Sequence, residues 1–531
     1  MKSLLLFTAT VLLSGNCLHV QAQATVPSIS HSGLFGGTDD DHPRCIFQDR
    51  DSGYVIGGWT MSSDEQAESP FKGYTNALVV RADAKGNFRW SKVLAGSSYD
   101  NVFSVTASGN KVIAAGESMS SDGDFAGMPA KKGFIAWLDS ADGHLLRIKG
   151  YGGDGYGAIN KVTVLKGGKL LVCGSLYHVA GGKAPEGTTA WVSLMDDTGG
   201  VIWQRFVGGV PMWAGGGGAA ALQKADGGYM MLCSITPISG TITAPGHHGK
   251  GDFCLVNMDK KGDILWTKFY GGSDYDFPVE IIQTQDGGFI CGGLSASPDG
   301  DISKPLGKND YWIFKVDKDG KLLWERSFGG SADDVLSGLS GTCDNGVVVY
   351  GHTFSKDGQG VGLKGVADLL VMRLDAGGNI LWKRLYGSSQ GDWEGAITTT
   401  REGHYAFAGV TGLADADVTG TIRGSGDYWL VVLGDDGLKN YCPIATPEPV
   451  SIAPAMAAAA GLKIYPNPVQ SQLTIESTVS VQATLSDLQG RVLLQSATGS
   501  LDMSALAAGM YLLTCTDAQG SFVASYKVTK D

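Results

Sequence analysis

A single pattern recurs along most of this sequence and limits what the chain can fold into. Its clearest copy runs Asp317-Lys-Asp-Gly320-Lys-Leu-Leu-Trp324-Glu-Arg326-Ser-Phe-Gly329-Gly330. The pattern returns with Gly262, Trp266 and Lys268, and with Trp382 and Arg384. Further copies carry Gly86, Trp90 and Lys92, then Gly199, Trp203 and Arg205. Arg147 stands in the Trp place of a weaker copy, and His31 and Tyr441 occupy that place at the two ends. Positions 31, 90, 147, 203, 266, 324, 382 and 441 enclose intervals of 59, 57, 56, 63, 58, 58 and 59 residues. Seven near-equal units imply a closed ring or an open array.

Each unit reads as four strands, here named A to D. In the unit from Gly271 they are expected at Val279–Thr284, Phe289–Leu294, Tyr311–Val316 and Leu322–Phe328. The Asp317 to Gly320 turn suits a hairpin with a left-handed glycine. A four-stranded sheet of this size cannot hide both faces alone, whereas sheets arranged radially can. The expected fold is all-β: a seven-bladed β-propeller over 25–442, closed by the segment near Ser32 to Phe35 as the last blade's strand D. An open β array is the alternative.

Three columns of the pattern read as scaffold. A small residue recurs in strand B (Gly58, Ala115, Cys173, Cys233, Gly293, Gly351, Ala408), as a crowded blade-to-blade contact demands. A Lys or Arg follows the Trp position by two residues, which suits an outer strand that must discourage pairing with other molecules. Asp41, Asp100, Asp276, Asp334 and Asp392 follow the Gly pair, where a short carboxylate can accept turn amides. Antiparallel order puts the D–A and B–C connections at one end and the short A–B and C–D turns at the other. The long, variable loops make the D–A/B–C end the expected binding face.

Composition agrees with an all-β chain rich in turns: 79 of 531 residues are glycine, about twice the usual share. The net charge of −12 argues against a nucleic-acid partner. Lys2, the apolar run Leu4 to Leu13 and the small residues Ala22 and Ala24 read as a signal peptide over 1–24, implying Sec export to the periplasm. Asn16 before Cys17 argues against a lipobox, and no other stretch is apolar enough for a transmembrane helix. Cys173, Cys233 and Cys291 lie in apolar strand patterns and read as small core residues.

After Cys442 the composition shifts. Residues 443–460 form a Pro- and Ala-rich linker, and 461–531 alternate as a small Ig-like β-sandwich. Tyr465-Pro466-Asn467-Pro468, the Asp487 to Gly490 turn, Gly509-Met-Tyr511 and the terminal Lys527-Val528 resemble the type A C-terminal sorting domain of type IX secretion (Por secretion system) substrates. That resemblance implies transit of the outer membrane on the type IX machinery, removal of the tail by a sortase, and release or attachment at the cell surface. The blades are similar to Trp/Gly-Gly/Asp repeats in other exported proteins, a group without one shared activity.

Motifs for chemistry are sparse. There is no HExxH or Cys-x-x-Cys, and a GxGxxG at Gly360 to Gly365 lies in a loop before a strand rather than after one. The Asp-x-x-Gly-x-x-x-Trp pattern is similar to quinoprotein propellers but one residue short, so no cofactor follows. Asp122 with Asp124 and Asp299 with Asp301 are spaced carboxylates that suit either calcium or turn capping. Positions that break the pattern are the better functional candidates: Trp213, His247 and His248 in unit four, Tyr156, Tyr177 and His178 in unit three, and Trp393 with Glu394 in unit seven. All map to the D–A/B–C end. Aromatics in a polar cup suit a glycan or protein ligand. The readings that follow are a non-catalytic binding module, a polysaccharide hydrolase or lyase, and a structural surface protein.

Overall fold

The computed structural model describes residues 24–69, 73–129, 131–152, 157–178, 187–207, 219–235, 246–438, 463–477, 480–487, 492–496, 499–517 and 522–530. The signal segment and the linker lie outside the described residues. Up to residue 438 these residues form seven four-stranded antiparallel sheets. Sheet 5 shows the plan: Asp276–Gln283, Phe289–Ser295, Asp310–Val316 and Leu322–Phe328, each paired with the next. Its A strand starts at the recurring Asp, three residues earlier than expected. A bulge between Pro278 and Glu280 hides the alternation there.

The A strands are Asp41–Gln48, Asp100–Ser108, Gly157–Val164, Ala219–Gln223, Asp276–Gln283, Asp334–Gly341 and Trp393–Thr399. Each packs on the next, and Trp393–Thr399 packs on Asp41–Gln48, a propeller-like arrangement. Ile29–Phe35 supplies the outer strand of sheet 7, antiparallel to Asp427–Leu433, as expected for the closing segment.

Apolar contacts run between sheets rather than within them. One cluster joins Leu171, Cys173 and Val192 of sheet 3 to Met231, Cys233 and Val256 of sheet 4. Cys173, Cys233 and Cys291 are buried. The small column in strand B is indeed crowded. A Cβ on Gly58 would lie 2.0 Å from the His42 carbonyl and 2.6 Å from the Tyr428 hydroxyl of sheet 7. Gly351 meets the Val335 carbonyl and the Tyr311 hydroxyl of sheet 5 in the same way.

The outer strands lock onto their neighbours through the C–D turns. Gly143, Gly262, Gly320 and Gly378 all have φ between +74° and +80°. A Cβ on each would lie 2.6–2.9 Å from Trp90, Trp203, Trp266 or Trp324 of the preceding sheet. The cations two residues beyond the Trp position are part of this lock. Lys149 and Lys268 donate to the Gly199 and Asp319 carbonyls at 2.7 Å, and Arg205 to the Lys261 carbonyl at 3.2 Å. These cations satisfy the next sheet's turn, whereas Lys92 and Arg384 of the same column pair with Asp124 and Asp417; sequence reasoning read the column as protection of an edge.

The tail forms two further sheets over one apolar cluster. Three strands (Lys463–Tyr465, Gln472–Glu476, Ser500–Asp502) face four (Val492–Ser496, Val481–Ser486, Gly509–Asp517, Phe522–Lys530). Leu473, Leu485, Leu501, Leu513 and Val528 are buried between them.

Candidate functional site

At the D–A/B–C end one polar scaffold recurs. Asp276 is fully buried and accepts from the Gly272 amide (2.7 Å), Ser295 Oγ (2.5 Å) and Ser297 Oγ (2.9 Å). Asp100 does the same with Gly96, Ser118 and Ser120, and Asp334 with Gly330 and Ser355. Burial pushes Asp276 and Asp41 up to about 6, against the pull of these hydrogen bonds. The column read as turn-binding carboxylates is therefore a strap between the D–A and B–C loops.

The aspartates weighed for calcium belong to the same strapping. Asp122 and Asp299 accept the Ser97 and Ser273 amides at 2.9 and 2.7 Å. Asp124 and Asp301 accept the Ala95 and Gly271 amides at 3.0 and 3.1 Å. Among the described residues no group of three His, Cys, Asp or Glu side chains is arranged to hold a metal ion.

The pattern-breaking residue Glu394 sits at the centre of a polar cluster. It lies in the bulge of its strand with φ +58°, a conformation that costs a non-glycine residue energy and persists where neighbours fix it. Four contacts fix it. Its carbonyl accepts the Tyr350 hydroxyl at 2.7 Å, and its amide donates to His352 Nδ1 at 3.4 Å. Its carboxylate takes His42 Nδ1 on Oε2 at 2.8 Å and Arg44 Nη1 on Oε1 at 3.2 Å. The His42 ring is stacked on Trp59, centroids 4.1 Å apart. Sheets 1, 6 and 7 all contribute.

The electrostatics of this cluster are uneven. Burial favours the neutral Glu394, but the His42 hydrogen bond and the Arg44 charge outweigh it and hold the carboxyl below its usual range. Burial pulls His352 down to about 4 despite the nearby Glu394 charge, so its Nδ1 stays an acceptor at neutral pH. On the far side of Arg44, burial pushes Glu117 of sheet 2 up to about 7, against an Asn101 hydrogen bond and the Arg44 charge. One carboxyl is thus held ionised and another is held near neutrality, with one guanidinium acting on both.

The other sequence candidates are not brought into this cluster. Trp393 is half-buried with its ring folded over Gly391. The His248 amide donates to Asp252 Oδ2 at 2.8 Å, a place filled by Leu306, Lys364 and Arg423 in sheets 5 to 7. His247 packs edge-on to Phe269 with Nε2 3.8 Å from Asp252. This histidine pair serves a loop strap of sheet 4. Tyr156 and Trp213 lie outside the described residues, as do the side chains of Tyr177 and His178. Sequence reasoning missed His42, Arg44, His352 and Glu117. For His42 the available signal was a polar side chain just after the recurring Asp, where Phe277 and Val335 stand in other units.

Comparison with known proteins bears on both regions. No curated protein sequence matches the chain. Solved structures similar to it include BamB from Moraxella catarrhalis, 16% identical over 76% of this chain and 85% of that one, with a TM-score of 0.35. A fungal alcohol oxidase in complex with copper is 12% identical over 95% and 99%, with a TM-score of 0.43. A protein of unknown function from Bacteroides caccae is 12% identical over 56% and 94%, with a TM-score of 0.32. These likenesses are too distant to bear on activity or ligand. By its own sheet topology and packing, the described chain is an all-β protein of propeller-like four-stranded sheets followed in sequence by a small β-unit.

That terminal unit has a family. Residues 463–528 match the secretion system C-terminal sorting domain (Por_Secre_tail), the type IX sorting signal. Such a domain marks a protein for the type IX machinery and for secretion to the outer cell surface. No helix among the described residues is long and apolar enough to cross a membrane. The motif residues hold the domain together. Asn467 Oδ1 accepts the Thr529 amide at 2.8 Å, and the Tyr511 hydroxyl donates to the Ala507 carbonyl at 2.6 Å. Both Tyr465-Pro466 and Asn467-Pro468 are cis, and the Tyr465 hydroxyl meets Glu476. Gly490 and the Lys527 side chain lie outside what is described.

Proposed function

We propose that this chain is a seven-bladed β-propeller of Trp/Gly-Gly/Asp repeats over 25–442 that recognises a glycan or protein at the cell surface without catalysing a reaction. A signal peptide carries it by Sec to the periplasm. The Ig-like tail then directs it through the outer membrane, where a sortase removes the tail. Cys343 is disulfide-bonded, which suits an exported chain. The observation that carries the recognition reading is the Glu394 cluster. A half-buried carboxylate, two histidines, an arginine and a stacked Trp converge on the end where the loops vary, above a scaffold that does not vary. No cofactor is called for, and the four aspartates weighed for calcium are engaged by loop amides.

The second reading, a polysaccharide hydrolase or lyase, is favoured by the opposite displacement of Glu394 and Glu117, since acid–base chemistry needs one carboxylate and one carboxylic acid. Binding and turnover assays of the full chain on one polysaccharide panel separate the two. Binding without turnover, weakened in Glu394→Gln, supports recognition. Turnover abolished in Glu394→Gln replaces it with the enzyme. Neither binding nor turnover leaves a structural surface protein.

A further inference from the structure

Where strand C of one sheet meets strand A of the next, a short parallel bridge recurs. Its members are Thr75 with Tyr99, Gly251 with Tyr275, Asn309 with Asp333, Ala367 with Gly391 and Gly426 with Asp40. The backbone is constant but the side chains carried on it are not. Lys308 faces Asp333 at 3.6 Å, and the Ser425 hydroxyl donates to Asp40 at 2.5 Å. Lys250 pairs with Asp274 at 2.9 Å and lies over the Tyr275 ring. Between sheets 1 and 2 the same place holds Tyr74 and Tyr99, stacked with centroids 4.9 Å apart and planes 9° from parallel.

These two rings are 67% and 43% exposed, so they add little to the core. They are nevertheless held in place. The Tyr74 amide donates to the Ser98 carbonyl at 3.1 Å, the Asp100 amide to the Thr75 carbonyl at 2.9 Å, and the Met119 amide to the Tyr99 carbonyl at 2.8 Å. A large, preorganised and solvent-facing aromatic surface is what a ligand with an apolar face needs.

Polar groups suited to such a ligand lie one step inward. Asn101 is two residues beyond Tyr99, on the same face of the strand. It pairs across to Glu117, which is only 7% exposed. Asn101 and Glu117 are hydrogen-bonded to each other, and their remaining buried oxygens, Asn101 Oδ1 and Glu117 Oε2, have no hydrogen-bond partner among the described residues. A buried acceptor left unmet is costly, and a donor from outside relieves it.

From this juxtaposition we infer that Tyr74, Tyr99, Asn101 and Glu117 form a carbohydrate subsite. A neutral sugar ring lays its C–H face on the tyrosines and directs hydroxyl donors to Asn101 Oδ1 and Glu117 Oε2. The subsite rests on the recognition reading and gives it a ligand class and a place between sheets 1 and 2.

The test is calorimetric titration of the full chain with cellohexaose, chitohexaose, xylohexaose and mannohexaose, alongside an array of extracellular matrix and mucin proteins. The wild type is expected to bind at least one oligosaccharide. Affinity should fall about tenfold or more in the Tyr74→Ala/Tyr99→Ala variant, with an unchanged melting temperature, and also in Glu117→Gln. Oligosaccharide binding undiminished in the tyrosine variant overturns the subsite and leaves recognition standing, as does binding confined to proteins. No binding to any probe overturns the recognition reading and the subsite with it.

Discussion

The two ends of the sheets solve different problems. At the A–B/C–D end almost everything recurs: a left-handed glycine against a Trp, and a cation on the neighbouring turn's carbonyl. At the D–A/B–C end only the straps recur, and what stands on them changes from sheet to sheet. The first end consists mainly of contacts that favour the fold, with Ser52 and Asn345 left-handed in two of its A–B turns. The second contains a left-handed Glu394, a buried Glu117 and unmet acceptors, all of which work against it. The buried carboxyls that cost stability thus gather at the end proposed to meet a ligand.

Denaturant unfolding can break that contrast. Trp382 is buried and donates Nε1–H to Asp436 at 3.0 Å. Trp382→Ala is expected to cost about 3–5 kcal/mol, and a loss below about 1 kcal/mol would deny the turn end its structural role. Glu117→Gln should act in the opposite sense. A carboxyl raised from 4.5 to about 7 by burial gives stability that is full below pH 4.5 and lost as pH rises through about 7. The wild type should therefore lose about 2–3 kcal/mol across that window relative to the Gln variant. Parallel curves would mean that the loop end bears no such cost.

Smaller effects sharpen the comparison. Gly378→Ala places a Cβ 2.9 Å from the Trp324 ring at φ +78°, and an expected loss of about 1–2 kcal/mol is readable as a shift in urea midpoint. Lys268→Met removes one solvent-exposed hydrogen bond to the Asp319 carbonyl and should cost about 0.5 kcal/mol. A loss as large as that of Trp382→Ala would show the cations, rather than the Trp–Gly contacts, to be the main lock.

What was legible in the sequence follows the same division. Strand D of sheet 5, Leu322–Phe328, and the small strand-B column are local patterns, and they were readable to the residue. The Lys/Arg column was found but its contacts were not, because the acceptor is a carbonyl some 50 residues away in the next sheet. Glu394 was found because it breaks the pattern. His42 and Arg44 were not, because they meet it only when the first sheet reaches the last, 352 residues apart for the histidine. Glu117 stands in an apolar strand B, where sequence gives no sign that its oxygen goes unmet.

The closing strand Ile29–Phe35 also sets limits on processing. Thr25 donates to the Asp436 carbonyl, Gly434 donates to the Ser28 carbonyl, and Tyr386 donates to the Pro27 carbonyl, so the clasp extends ahead of the strand itself. Trimming that stops at Ala24 spares every one of these bonds. A cut ten residues further on would strip sheet 7 of its outer strand and expose the edge of Asp427–Leu433. Removal of the expected signal peptide after Ala24 would therefore leave the closing strand whole, whereas a cut inside Ile29–Phe35 would undo it.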